Sequence, residues 1–417
     1  MSDFARLLSQ YGAIRAEQEE LYRDLHQHPE LSHQETRTAA KAADLLESWG
    51  FRVERGVGGT GVVGVLTSGE GPTVLMRADM DALPVREATG APYASTAEAT
   101  DADGVTVPVT HACGHDVHVA CLLGAAQLLA SDLDAWHGTA IVLFQPAEET
   151  GDGARAMMED GLLARIPKPD VALAQHVLPG LAGHVGTRIG AVLSAADSIR
   201  VRVFGRGGHG SMPQNTVDPV VLAAMIVVRL QTVIAREIAP TEPAVLTVGS
   251  IRAGSKSNII PDDAVLELNI RTYSDATRQH TLDAVDRIVR AECAAGASPR
   301  EPEIELYDSF PLTSNDEAVT SRVADAFAAH FGERAGQLEL QTASEDFSDI
   351  PRSAGVPYTY WRIAGTDPDS WEAAVKSGTV TSDIPANHSP LFLPVIQPTL
   401  QTGTEALLVA AGAWLAA

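Results

Sequence analysis

The chain is short of cysteine, of positive charge and of long apolar runs, and each shortage excludes something. Cysteine occurs only at positions 113, 121 and 293 of 417 residues. An odd, sparse set builds no disulfide framework and fits a reducing compartment, so a cytoplasmic location is expected. Lys and Arg number 30 against 54 Asp and Glu, a formal net charge of −24. A surface of that sign repels phosphate backbones and anionic headgroups, which argues against nucleic acid and membranes as partners. No run of about 18 apolar residues is evident, which argues against a spanning helix. The start, Met1-Ser2-Asp3-Phe4, lacks the basic segment and apolar stretch of a secretory signal. No internal repeat or low-complexity tract stands out.

What is present is concentrated in one stretch, His111-Ala112-Cys113-Gly114-His115-Asp116-Val117-His118, followed by an apolar run to Leu129 that reads as a helix. Thiolate and imidazole are ligands that borderline metals such as zinc prefer. Alone, a Cys-x-His triplet is ordinary. Three other stretches raise its weight. Thr73 to Met76 leads into Arg77-Ala78-Asp79-Met80-Asp81, Ala140 to Phe144 into Gln145-Pro146-Ala147-Glu148-Glu149, and Val171 to Ala174 into Gln175-His176. Each run has the length and composition of a strand buried on both faces. Each delivers acids or imidazole just past its C-terminal end, the edge where open α/β sheets place their ligands. Packing alone does not explain four such segments converging.

At 417 residues, 45% of them hydrophobic, the chain is expected to form two domains. The first is an α/β domain with a mostly parallel sheet, residues 1–186 plus 309–417. Inserted in it, at 187–308, the order β-α-β-β-α-β predicts a small α+β (ferredoxin-like) domain. Ile199 to Phe204 alternates as a half-exposed strand does, and Asp218 to Ile238 reads as a long apolar helix with Pro219 in its first turn. The polar segment 86–110 is expected to form a loop over the site. Ser32-x-x-Glu35 reads as a capping box for a helix over 35–48. His26 and His28, at the end of the preceding helix, are read as near-surface groups capping carbonyls. Glu148 and Glu149 are adjacent, so their carboxylates are expected to differ in direction: one can bind a metal while the other takes a proton from water.

Together these motifs resemble the M20 metallopeptidase family, in its subgroup of amidohydrolases acting on N-acyl amino acids, hippurate and auxin conjugates. The carriers are Leu25-His26-Gln27-His28-Pro29-Glu30, Arg77 to Pro84, the Cys113 stretch, Gln145 to Glu149, Gly207-Gly208-His209-Gly210 and His388-Ser389-Pro390, spread over nearly the whole chain. The resemblance implies two divalent metal ions held by Cys113, His115, Glu149, His176 and His388, with Glu148 as general base. Mixed S, N and O ligands admit Zn, Mn, Co or Ni. Asp79 and Asp81 are expected to hold the ligands in place. The resemblance also implies that the inserted domain is a lid that mediates homodimerisation and supplies His209 to the partner's site, and that Asn258 and Arg271 bind substrate. Many relatives read Pro-His where this chain has Pro213-Gln214. The expected activity is metal-dependent hydrolysis of a small N-acyl amino acid to a carboxylic acid and a free amino acid. Three rivals remain: a dipeptidase or carboxypeptidase on the same scaffold, a cysteine hydrolase using Cys113, and a metal-stabilised dimer that binds acyl amino acids without cleaving them.

Overall fold

The computed structural model describes residues 3–416. They form two compact units, residues 3–192 with Ser314–Leu340 and 346–416, and Leu193–Thr313 with Gln341–Glu345. These bounds differ by a few residues from 187–308. Val185–Thr187 stays with the first unit because it pairs in that unit's sheet, with Ala335–Gln337 and with Arg362 and Ile363. Residues 341–345 join the second unit through backbone and side-chain bonds, Ser194 N to Ala343 O at 2.9 Å and Arg271 Nη1 to Thr342 O at 2.8 Å.

The first unit is built on a mixed sheet of eight strands. Its centre is parallel: Gly138–Gln145, Thr73–Asp79, Val171–Leu181 and Tyr358–Thr366 lie side by side in that order. Gly61–Ser68 and Arg52–Val57 continue the sheet antiparallel at one edge. The central strands are apolar because both faces are covered, and every residue of Thr73–Asp79 except Thr73 is buried. One layer of helices, including Tyr11–Gln27, His115–Ser131, Glu317–Phe331 and Ile396–Leu415, shares a single core with it. His115–Ser131 is apolar nearly all round, as a helix enclosed on every side must be.

Two local expectations give way. Val171–Leu181 runs well past Ala174, so His176 lies within the strand. Its pairing with Thr73–Asp79 ends at Arg77↔Ala174, whereas pairing with Tyr358–Thr366 continues through His176↔Arg362. His176 therefore stands where its strand has parted from one neighbour, which continues to Asp79, and the sheet opens between them. The capping box is absent: the helix Thr36–Ser48 has Glu35 at its N-cap with no side-chain cap bond. Ser32 Oγ instead donates to Asp81 Oδ2 at 2.7 Å, and the buried Glu35 carboxylate accepts from Ala147 N at 2.8 Å. Both side chains serve the sheet edge because a bond to a buried carboxylate or a strained turn is worth more than one at an exposed helix end.

The second unit has the order β-α-β-β-α-β and an all-antiparallel sheet, Ala244–Ala253, Asp263–Thr272, Ala195–Phe204, Glu303–Phe310, the strand order of a ferredoxin-like fold. Ile199, Val201 and Val203 point into its core while Arg200 and Arg202 face solvent. Asp218 caps the helix Pro219–Thr232 by accepting from Val220 N at 2.9 Å. With the π-helical turn Val233–Glu237 this segment reaches 19 residues with a mean hydropathy of 1.7, long and apolar enough by composition to cross a membrane. It is the helix expected over Asp218 to Ile238, and it passes the length and hydropathy test that no run in the sequence was expected to meet. Leu222, Ala223, Ile226 and Leu230 enter the core, whereas Val221, Met225 and Val228 are exposed, Val228 at 66%.

Candidate metal centre

Four chain segments of the first unit meet at the C-terminal edge of the parallel strands. Cys113 lies in the turn before His115–Ser131, and Gly114 caps that helix in the left-handed region with φ 85°. Only glycine fits there, since a Cβ would stand 2.4 Å from Val177 Cγ1. Glu148 and Glu149 follow the strand Gly138–Gln145 through Ala147, itself left-handed at φ 50°. His176 comes from Val171–Leu181. His388 occupies a surface turn with φ 70°, fixed by its own N–H to Ala112 O at 2.8 Å.

The side chains form three interlocking groups, each with its ligand atoms within 4.8 Å of one another: Cys113, His115 and His176; Cys113, Glu149 and His388; His115, Glu148 and Glu149. Cys113 Sγ lies 3.4 Å from His176 Nε2, and Glu149 Oε2 lies 3.4 Å from His388 Nε2. The adjacent glutamates converge more than expected: one oxygen of each lies within 4 Å of His115 Nε2, at 3.8 and 3.9 Å. They diverge only beyond it, where Glu149 goes on to His388.

The imidazoles are prepared as ligands. His115 Nδ1 lies 2.8 Å from Asp81 O and 3.2 Å from Asp81 Oδ1, two acceptors, so Nδ1 carries the proton. His176 Nδ1 likewise donates to Val177 O at 2.8 Å. Both therefore aim an Nε2 lone pair into the cluster. His115 Nε2 and Glu149 Oε1 are buried without a hydrogen-bond partner, which such atoms accept only when something else satisfies them. The Cys113 thiol and the Glu149 carboxylate together raise His388 to about 10. A donor set that draws a proton so strongly suits a divalent cation equally well.

Around these residues lies a layer of support. Asp81 holds His115 and also accepts Glu149 N at 2.9 Å. His118 accepts Val177 N at Nε2, 2.8 Å, and so donates from Nδ1 to Asp79 at 2.5 Å. Asp79, His115 and His118 also approach closely enough to suggest a further ligand group. Here, however, the Asp79 carboxylate is already matched by Arg77 Nη1 at 2.7 Å and by His118, which marks a structural pair. Burial opposes the charge on Asp79, yet His115, Arg77 and His118 hold its carboxyl well below the usual range. Asn387 Nδ2 bridges the carbonyls of Cys113 and Val177, each at 3.1 Å. Sequence reasoning gave no role to His118, Asn387, Arg77 or Asp346, whose Oδ1 accepts from Gln145 Nε2 at 2.5 Å. The signal for His118 was available: it stands three residues after His115 and so on the same helix face.

His26 is not a near-surface cap. It is 1% exposed, with Nδ1 2.6 Å from Asp116 Oδ2 and Nε2 3.3 Å from Glu87 Oε1. His28 does cap, with Nδ1 donating to Asp24 O at 2.7 Å. Burial works against the charge on His26, but the two carboxylates raise it to about 9 from 6.5. Because the folded value is the higher one, this pairing stabilises the fold fully below pH 6.5 and fades as the pH climbs through 9. The free energy of unfolding measured in denaturant is expected to fall between pH 6.5 and 9.5 by on the order of 3 kcal/mol, and His26→Gln is expected to remove that slope.

The other three anticipated residues belong to the second unit. His209 is exposed on a two-residue bridge with Ile259 and Ile260, and its Nδ1 accepts from Ser211 Oγ at 2.8 Å. Asn258 is exposed nearby, its carbonyl accepting Gly210 N at 2.9 Å. Arg271 is half-buried and spends Nη1 on Thr342 O and Ser344 Oγ. Gln214 sits in the single turn Pro213–Asn215, exposed.

This constellation at the edge of a parallel sheet is that of a metallohydrolase class. The pattern of peptidase family M20/M25/M40 matches residues 75–376, and the chain belongs to that family. It is 38% identical over 341 residues to the N-acetyl-L-cysteine deacetylase of Bacillus subtilis (strain 168), covering 81% of this chain and 76% of that protein. It is 36% identical over 347 residues to thermostable carboxypeptidase 1 of Saccharolobus solfataricus, covering 82% and 84%. Among solved structures, a Bacillus subtilis protein described as a dinuclear metal binding peptidase from the M20 family superposes with a TM-score of 0.76 at 27% identity, covering 96% of this chain and 98% of that one.

Proposed function

We propose that the chain is a metal-dependent amidohydrolase that cleaves N-acyl amino acids to a carboxylic acid and a free amino acid. The observation that carries this reading is the meeting of Cys113, His115, Glu149, His176 and His388 around buried, unsatisfied ligand atoms, with Glu148 beside them. These five would hold two divalent cations, and the S, N and O donors admit Zn, Mn, Co or Ni. Bound there, the cations would lower the pKa of water and polarise the scissile carbonyl. Glu148 would take the proton from that water and hand it to the leaving amine. His209, supplied to the site of a second copy in a homodimer, would stabilise the oxyanion that develops there; Asn258 and Arg271 would bind substrate, Arg271 by gripping a carboxylate. The test is a hydrolysis screen over N-acetyl, N-benzoyl and indole-acyl amino acids with metal content measured on the same sample. No turnover of any of them by a metal-loaded sample overturns the assignment.

The carboxypeptidase relative supports a second reading, cleavage of the last peptide bond of a short peptide by the same centre. Blocked dipeptides and free dipeptides in the same screen separate the two. A cysteine hydrolase is disfavoured, because burial raises the Cys113 thiol when a nucleophile needs it lowered.

A homodimer is part of the proposal. Ala244–Ala253 is an edge strand of its sheet, with Val245 and Ile251 about half exposed, and Val221, Met225 and Val228 form an apolar stripe on the helix Pro219–Thr232. Open strand edges and apolar stripes of this kind are commonly covered by a second copy. Val221→Glu with Val228→Glu is expected to convert the dimer to monomer in sedimentation; an unchanged mass places the interface elsewhere.

A further inference from the structure

One buried group has no part in the chemistry above: the ion triad Asp116, His26 and Glu87. Its three side chains are 1%, 1% and 2% exposed. Asp116 belongs to the helix that starts at His115, and His26 to the helix Tyr11–Gln27. Glu87 is different, because it belongs to the long excursion between Leu83 and Thr110, whose residues are mostly exposed or half-buried. The excursion is pinched at its base by a reciprocal pair of backbone bonds between Leu83 and Thr110, each 3.1 Å. Along its length it contains only a three-residue hairpin, Glu98–Thr100 with Thr106–Pro108.

Glu87 is the internal frame of this segment. Oε2 accepts Ser95 N at 2.6 Å and Thr110 Oγ1 at 3.2 Å; Oε1 accepts the Thr89 hydroxyl and meets His26 Nε2 at 3.3 Å. One carboxylate thus ties positions 89, 95 and 110 to the helix layer, and Tyr93 stacks edge-on to His26 at 5.4 Å between ring centroids. The next residue reaches the other way: Ala88 N donates to Pro390 O at 2.8 Å. Pro390 lies two residues beyond His388. That turn needs support, because His388 is left-handed at φ 70° and its side chain is 56% exposed, so packing alone does not hold it.

We propose that Glu87, locked by His26 and Asp116, is a positioning residue that couples the 84–110 segment to the turn carrying His388, and so sets how firmly the Cys113–Glu149–His388 group holds a cation. This rests on the proposed metal centre, but the coupling itself is a property of the chain. The bonds of the Glu87 carboxylate go to Ser95, Thr110, Thr89 and His26, and to none of the five proposed metal ligands. Its carboxylate fixes the segment, the segment fixes Ala88, and the Ala88 amide steadies the backbone two residues past the ligand. The apolar helices behind His26 supply the rigidity against which the lever acts.

The test compares wild type with Glu87→Gln by amide hydrogen exchange and by equilibrium dialysis against Mn²⁺ or Zn²⁺. Glu87→Gln keeps the shape and removes the charge. Exchange at residues 88–97 is expected to rise about tenfold while the central strands stay protected, and the weaker of the two cation affinities is expected to fall about tenfold, as when a partner behind a ligand is lost. In turnover the variant is expected to lose kcat at low metal and to regain it as metal is added. Unchanged exchange overturns the anchor; raised exchange with unchanged cation affinity overturns the coupling. Should Glu87→Gln fail to fold, Thr89→Val removes one bond to the same carboxylate and leaves every charge. It is expected to move both readouts the same way by about threefold, and no movement in either overturns the proposal. If wild type binds no divalent cation at all, the proposed function fails, and the exchange result still decides whether Glu87 anchors the segment.

Discussion

Replacing Glu148 by glutamine is expected to leave metal content and fold intact and to lower kcat about 10²–10⁴-fold, the range a general base contributes. Glu148 is 5% exposed and follows the left-handed Ala147, which turns the chain abruptly at the end of a buried strand. The turn is over-determined: Ala147 N donates to Glu35, and Gly153 N donates back to Ala147 O at 3.1 Å. A backbone held from both sides keeps the Glu148 carboxylate 3.8 Å from His115 Nε2 whether or not it is charged, so the amide variant should occupy the same place. Glutamine cannot take a proton from water, and the loss should fall on kcat with little change in KM. Metal analysis and steady-state kinetics on one preparation decide it; activity within threefold of wild type would sink the assignment of Glu148 as base.

Removing divalent cations is expected to abolish turnover, and in two stages. Cys113, His115 and His176 are buried, whereas His388 is largely exposed, so the group it completes is open to a chelator while the other is not. Dialysis against a chelator with metal analysis over time should show one equivalent lost quickly and a second slowly, with activity following the first. Added Mn²⁺ or Zn²⁺ should restore it. Simultaneous loss of both equivalents would mean that the two groups do not differ in access.

The parallel core was legible because burial on both faces leaves a plain mark, an unbroken apolar run; polar groups near the ends of those runs pointed to one edge of the sheet, while the full set of candidate ligands, His388 among them, came from the family resemblance. The strands that Thr73 to Met76 and Ala140 to Phe144 mark run on beyond those stretches, three residues to Asp79 and one to Gln145. Val171–Leu181 was read short because Gln175 and His176 look like the end of a strand, when only its pairing with one of its two neighbours ends there. Ser32 and Glu35 match a local capping pattern, but the partners they take, Asp81 and Ala147, lie 49 and 112 positions away along the chain. No short-range rule can see those. The same holds for His26, whose helix-end position suggests solvent while its partners Asp116 and Glu87 are distant in sequence and buried in space. Charged residues drawn inside by one another are the systematic blind spot, since their neighbours in sequence are those of any surface segment.

The discontinuity of the first unit has a consequence for synthesis. The cluster needs Cys113 and Glu149 from the early chain and His388 from its last tenth, and the Arg77–Asp79–Asp346 network behind it likewise closes only after residue 346. On the ribosome, the Leu193–Thr313 part of the second unit is complete in sequence well before the strand Tyr358–Thr366 exists to fill its place in the sheet. A nascent chain therefore carries Cys113, His115 and His176 without His388 for much of translation. If the proposed centre binds its cations as argued above, full loading would wait until the segment carrying His388 emerges and folds back.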